Sequence, residues 1–142
     1  MIYLGADHRG YALKEQIKQW LTTWGKEFKD MGSLELIPTD DYPDITRAVT
    51  GAMHEGDKGI LLCASGIGVA ITANRVKGIR CGVGITPAQV RATRTDDDIN
   101  VLALASDFTS EQNAQEMIKA FLETAFSGQE RHLRRIKKID NE

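Results

Sequence analysis

Apolar positions along the chain change period repeatedly, and that alternation predicts the architecture. Ile2-Tyr3-Leu4 is a short apolar run of the kind that forms a buried strand. Leu13, Ile17, Trp20, Leu21 and Trp24 then recur at helical spacing, and Gly25 supplies a stop, which predicts an amphipathic helix over residues 10–24. Trp20 and Trp24 share one face, suited either to the core or to a subunit contact. Residues 26–31 read as a weaker strand, followed by a loop through Pro38 and Pro43 and a helix over residues 45–55. Residues 59–63 make the strongest strand, apolar throughout in the manner of a central parallel strand covered on both faces.

A glycine-rich turn, Ala64-Ser65-Gly66-Ile67-Gly68, leads into a helix over residues 69–76. Residues 79–85 read as a strand, Pro87 suits a helix start, and residues 100–104 read as a further strand. Ala114, Met117, Ile118, Phe121, Leu122, Ala125 and Phe126 mark a long helix ending near Gly128, and residues 131–138 form a short basic helix. Five strands alternating with helices on short connections predict an α/β fold in one domain spanning residues 1–142. Its form is a three-layer, Rossmann-like, doubly wound five-stranded parallel sheet with a C-terminal basic helix. Such sheets bind ligands beyond the carboxyl ends of their strands.

Composition narrows the partners. The 142 residues carry 18 basic and 20 acidic side chains, a net charge of -2, which leaves no electrostatic footprint for nucleic acid or an anionic membrane. Any preference for phosphate is therefore local. Cys63 and Cys81 are the only cysteines, lack Cys-x-x-Cys spacing, and fit free thiols in a reducing compartment; no zinc set is visible. The first apolar run turns polar at Asp7-His8-Arg9, too early for a signal peptide or a membrane span, so the expected location is cytoplasmic.

Candidate chemistry gathers at the strand ends. Asp7 and His8 follow the first strand directly, where a carboxylate and an imidazole can orient hydroxyls or exchange protons, although Asp7 would serve equally as a helix cap. Cys63 meets the glycine-rich turn near a helix N-terminus, where backbone N–H groups favour a thiolate; an inert buried cysteine is the alternative. The Ser65-Gly66-Ile67-Gly68 turn suits a phosphate or an enediolate oxygen. It lacks the small residue that a dinucleotide fingerprint needs at Ile71, and it lacks the Lys-Ser/Thr of a Walker loop. Val69 stands where a low-molecular-weight phosphatase needs arginine. In the basic tail, Arg131 and Arg135 lie one turn apart with His132 beside them, a spacing that lets two guanidinium forks and an imidazole meet one phosphate. His54 lies in a polar stretch and is expected to be exposed.

Five segments in register, Gly5-Ala6-Asp7-His8-Arg9-Gly10, Thr39-Asp40-Asp41-Tyr42-Pro43, Cys63-Ala64-Ser65-Gly66-Ile67-Gly68, Asn100-Val101-Leu102 and Arg131-His132-x-x-Arg135, resemble the ribose-5-phosphate isomerase type B and galactose-6-phosphate isomerase family. The resemblance implies a metal-free and cofactor-free aldose–ketose isomerase of a sugar phosphate. It would work as a homodimer or dimer of dimers with active sites shared between subunits. By that likeness Cys63 moves a proton between C1 and C2, while the Ser65 hydroxyl and the backbone of Ala64, Gly66, Ile67 and Gly68 hold the enediolate. Asp7 and His8 would contact substrate oxygens, Tyr42 would line the pocket, and Arg131 and Arg135, with His132, would bind phosphate.

Three positions depart from the family pattern. Asp96-Asp97 stand where the family usually has a His-Asn pair, whose histidine opens the furanose ring, and Asp107 stands where it often has a phosphate-binding arginine. A carboxylate with a pKa of about 3.9 is a poor proton donor at neutral pH, and one facing a phosphate dianion repels it. Asp96, His8 or solvent would then open the ring, with Asp97 beside the substrate and Arg134 replacing the arginine absent at position 107. The expected reaction is ribose 5-phosphate to ribulose 5-phosphate. The alternatives are a tetrose 4-phosphate, which needs no ring opening, galactose 6-phosphate, or a non-catalytic sugar-phosphate binder.

Overall fold

The computed structural model describes residues 1–141. Its elements are β1 (Ile2–Ala6), α1 (Tyr11–Thr23), β2 (Phe28–Asp30), α2 (Tyr42–Ala52), β3 (Lys58–Cys63), α3 (Ile67–Ala73), β4 (Cys81–Val83), α4 (Pro87–Asp97), β5 (Val101–Ala105), α5 (Glu111–Glu123) and α6 (Glu130–Asp140). The five strands form one sheet in the order β2-β1-β3-β5-β4, every pair parallel. The three-layer, doubly wound arrangement that the alternating pattern predicts is the one found. The order in which strands are added reverses between β1 and β3, and this switch opens a crevice at their carboxyl ends.

The alternation of side chains along each strand divides the core into two layers. Leu4, Ile60, Leu62, Leu102 and Leu104 face α1, α4 and α5, where Ile17, Leu21, Val90, Met117 and Phe121 complete one cluster. Tyr3, Leu61, Cys63, Val101 and Ala103 face α2 and α3, against Val49, Val69, Ala70 and Ala73. Trp20 and Trp24 are partly buried against the first cluster, so the face they share belongs to the core.

Boundaries shift where caps and edges decide them. α2 starts at Tyr42 rather than Ile45, because Asp41 is extended and Pro43 fits the first turn. α3 begins two residues early, directly on the glycine turn. β4 shrinks to three residues because it is the sheet's edge, with Ile79 drawn into a turn on Val76. α5 ends at Glu123, short of the expected Gly128, which has φ +69° in the following loop.

One polar feature crosses the apolar face of α1. Lys14, in register with Ile17 and Leu21, is fully buried, and its Nζ donates to Asp30 Oδ1 at 2.7 Å, Asp30 Oδ2 at 2.6 Å and the Ser33 carbonyl at 2.6 Å. Lys18 Nζ adds 2.9 Å to Asp30 Oδ2, and the Gly32 N–H adds 3.0 Å to Oδ1. Burial opposes ionisation of Asp30, but the hydrogen bonds from Lys14, Lys18 and Gly32 outweigh it and hold the carboxyl below its usual range. The clamp ties α1 to the end of β2 and to the loop that follows.

Removing one member of a buried ion pair leaves the other charge uncompensated, so Lys14→Ala is expected to lose about 3–5 kcal/mol in urea denaturation, with Lys14→Met combined with Asp30→Leu recovering most of it. A depressed carboxyl stabilises the fold above its unfolded pKa of about 3.9, and that contribution is lost as pH falls through the folded value. Wild-type stability should therefore decline in acid more steeply than that of the double variant.

Candidate active site

Three loops meet at the carboxyl ends of β1, β3 and β5. Cys63 is the last residue of β3, 4% exposed, and its side chain lies on the α2–α3 side of the sheet. The β5 loop is stitched to this strand end: Ser106 N–H donates to the Cys63 carbonyl at 2.9 Å, and Asp107 N–H to the Ala64 carbonyl at 3.1 Å. Gly66 adopts φ +72°, and a Cβ there would come within 3.0 Å of the Ala105 nitrogen, so only glycine lets the turn cross so close to β5.

The first N–H groups of a helix have no intrahelical acceptor. At the start of α3 one of them, Ile67 N–H, donates to Ser65 Oγ at 3.2 Å. That bond occupies Ile67's donor and fixes the Ser65 hydroxyl by its lone pair, leaving its own proton free for an acceptor in the crevice. Tyr42, at the start of α2, lies over this turn: a Cβ added to Gly68 would fall 2.6 Å from its ring.

Behind β1, Asp7 is 6% exposed and its Oδ1 accepts from the N–H groups of Arg9 at 3.0 Å and Gly10 at 3.2 Å. One carboxylate oxygen thus shapes the turn into α1, as the capping reading expects, and no described donor reaches Oδ2. His8 is partly exposed and doubly held. Its backbone N–H and its ring Nδ1 both lie 2.9 Å from Asp40 Oδ1, while Ser33 Oγ lies 2.5 Å from Asp40 Oδ2. Burial opposes ionisation of Asp40, but the hydrogen bonds from Ser33 and His8 outweigh it and keep the carboxyl below its usual range. A permanent carboxylate on Nδ1 fixes the imidazole's orientation and turns Nε2 toward exchange with a ligand.

Sequence reasoning missed Asp40 and Ser33 as parts of a site. Asp40 stood in plain view before Tyr42-Pro43, but nothing local says that it reaches His8, 32 residues away. The remaining candidates lie at the opposite end of the sheet. α4 runs back from β4, so Asp96 and Asp97 precede β5 at its amino end, whereas Cys63 pairs with Ala105 at its carboxyl end. Four strand residues separate the two ends, about 13 Å.

α6 packs beside α4, with His132 6% exposed and its Nε2 3.4 Å from Asp96 Oδ1. Arg131 and Arg135 are exposed and unpaired among the described residues, while Arg134 is taken by Glu130 at 2.9 Å. Of the acidic patch, Asp98 is structural, joined to Arg80 at 3.2 Å and Arg94 at 2.7 Å. His54 is exposed, as expected. Cys81 is half-buried on edge strand β4, and burial pushes its thiol up to about 12. No group of three or more His, Cys, Asp or Glu side chains among the described residues is arranged to hold a metal, and no described helix is long and apolar enough to cross a membrane.

Residues 2–139 match the model of the ribose/galactose isomerase family. The ribose-5-phosphate isomerase B of Escherichia coli is 36% identical over 140 residues, covering 97% of this chain and 93% of the relative. Among solved structures, a ribose 5-phosphate isomerase from Thermotoga maritima superposes with a TM-score of 0.94 at 37% identity, over 99% of this chain and 97% of that one. The ribose-5-phosphate isomerase B of Mycoplasma genitalium with bound ribulose-5-phosphate gives 0.94 at 34%, over 99% and 93%.

Hydrogen bonds to a charged group contribute about 1.5–3 kcal/mol each. Asp40→Ala is therefore expected to cost at least about 1.5 kcal/mol in urea denaturation at pH 7, and Ser33→Ala less, about 0.5–1.5 kcal/mol. Equal stability of Asp40→Ala and wild type would show that the His8–Asp40–Ser33 contacts do not hold the loop.

Proposed function

The chain belongs to the ribose/galactose isomerase family, and from that membership we propose that it interconverts ribose 5-phosphate and ribulose 5-phosphate, with Cys63 as the base. The observation that carries the reading is the position of Cys63, buried at the sheet's switch point between the Ser65 turn and the His8–Asp40 pair. Relatives named for the same reaction support it.

The open-chain aldose carries its carbonyl at C1. The Cys63 thiolate takes the proton from C2, the C2 electrons form the C1–C2 double bond, and the carbonyl electrons move onto O1 as an oxyanion. The Ser65 hydroxyl and free backbone N–H groups of the turn stabilise that charge, each preorganised donor being worth about 3–4 kcal/mol of barrier. The O2 proton then passes to O1, the O2 electrons form the C2 carbonyl, and the C1–C2 double-bond electrons take the proton back from Cys63 at C1, which completes the ketose and restores the thiolate. No electrons leave the substrate, so the chain's own acid and base groups suffice.

A pentose phosphate exists mainly as a ring, so a proton must first be given to the ring oxygen. Asp96 is badly placed for this within its own chain, at the amino end of β5. His8, oriented by Asp40, is the better acid, and Asp7 Oδ2, which no described donor reaches, can accept from a substrate hydroxyl. This assigns ring opening to the β1 loop.

Arg131 and Arg135 cannot serve the Cys63 of the same chain, because α6 lies beside the amino ends of the strands. Both groups meet on one substrate if two copies pair about a two-fold axis, each lending α6 and the end of α4 to the other's crevice. Exposed Leu34, Leu36, Ile67, Ile71 and Phe108 around the crevice supply apolar surface for that pairing.

Mixing tests base, phosphate binding and sharing together. Cys63→Ala and the Arg131→Ala, Arg135→Ala variant are each expected to be nearly inactive on ribose 5-phosphate. Unfolded and refolded together in equal amounts, they should recover about a quarter of wild-type activity, because half of randomly formed dimers are hybrids and each hybrid has one intact site. No recovery from correctly folded, mixed dimers would contradict the shared site, and an active Cys63→Ala variant would contradict the base.

A further inference from the structure

The sheet order places β1 and β5 on either side of β3, so any contact between their carboxyl-end loops spans the strand end that carries Cys63. One such contact exists. Arg9 Nη2 donates to the Asp107 carboxylate, joining the loop after β1 to the loop after β5. Asp107 is itself fixed by its N–H on the Ala64 carbonyl, and Arg9 by its N–H on Asp7 Oδ1. The ion pair is a strap across the mouth of the crevice, with Cys63 below it.

We propose that Arg9 supplies this chain's own cation to the phosphate of the substrate, and that Asp107 is the positioning residue that draws the guanidinium over the crevice. The inference rests on the sugar-phosphate reading above. Three observations carry it. Among the described residues Arg9 is engaged through Nη2 alone, and Asp107 takes one of its two hydrogens, so the other Nη2 hydrogen and the neighbouring Nε or Nη1 donor form a free edge able to meet two phosphate oxygens side by side. Asp107, whose charge alone would repel a phosphate, is neutralised by the arginine it holds. Beside Asp107, Ser106 Oγ is buried without a hydrogen-bond partner among the described residues, an unmet polar group next to the anchor.

The arrangement also sets the substrate's direction. The reacting carbons lie at buried Cys63 and the charged end at the exposed rim, where Arg9 is half in solvent. The opposite signs at positions 9 and 107 act as one unit. A cation arriving from either loop would serve, provided the other loop carries its anchor.

Inorganic phosphate, titrated calorimetrically into the intact protein, tests this without relying on turnover. Arg9→Ala should weaken phosphate binding about tenfold and raise the KM for ribose 5-phosphate by a similar factor, the loss of a charge-assisted forked contact. The reversed pair, Arg9→Asp with Asp107→Arg, should restore phosphate affinity to within about threefold of wild type by returning a fork to the same rim. Unchanged phosphate affinity in Arg9→Ala, or a reversed pair that binds no better than Arg9→Ala, would overturn the assignment. Failure of the wild type to isomerise ribose 5-phosphate would instead refute the proposed reaction, and would leave the phosphate titration to decide on Arg9.

Discussion

A lysine ammonium with no exposed surface must have its donors met inside the protein, and the three acceptors that meet Lys14 fix the chain after β2. Two belong to Asp30 and the third is the carbonyl of Ser33. That carbonyl places the Ser33 hydroxyl, which bonds Asp40, which in turn holds both the backbone and the ring of His8. A single buried charge on the far side of β1 is thereby connected, through three contacts, to an imidazole in the crevice. Three exposed apolar residues, Leu34, Leu36 and Ile37, lie in the same loop, so its path owes little to burial and much to this polar chain.

The sheet does the rest of the positioning. Residues along β3 alternate between the two core layers, and the strand ends with Cys63 facing α2 and α3 just where the switch in strand order opens the crevice. Cys81 shows what position alone changes. It sits on the edge strand with no donor turn beside it, and burial pushes its thiol up to about 12, where it stays protonated and inert. The two cysteines of one chain thus sit in different chemical settings, because one ends a central strand on a glycine turn and the other does not.

Elements with strong periodicity were legible in the sequence, and so was the alternation that dictates a parallel, doubly wound sheet. Cys63, Ser65 and His8 could be singled out because strand ends and glycine turns mark crevices in such folds. The polar chain behind His8 was not legible, since it joins positions 14, 30, 33, 40 and 8, and sequence pattern carries no information about such pairings. One signal was present: Lys14 falls in line with Ile17 and Leu21 on an apolar helix face, and a charge in that position calls for a buried partner. Nor could the sequence show that Asp96 and Arg131 lie at the other end of the sheet from Cys63. That separation follows from α4 running antiparallel to the strands, and it turns an apparent single cluster of residues into two half-sites.

The proposed pairing, in which a second copy completes each half-site, is the central claim of the account. A crystal structure of the Cys63→Ala variant with ribulose 5-phosphate tests it most directly. The account predicts the C1–C2 bond beside position 63, within reach of a cysteine sulfur at about 3–3.5 Å once the side chain is restored. It predicts the phosphate held between Arg9 of the same subunit and Arg131 and Arg135 of the partner subunit. A ligand bound wholly within one subunit, or with its phosphate directed at Cys63, would contradict it.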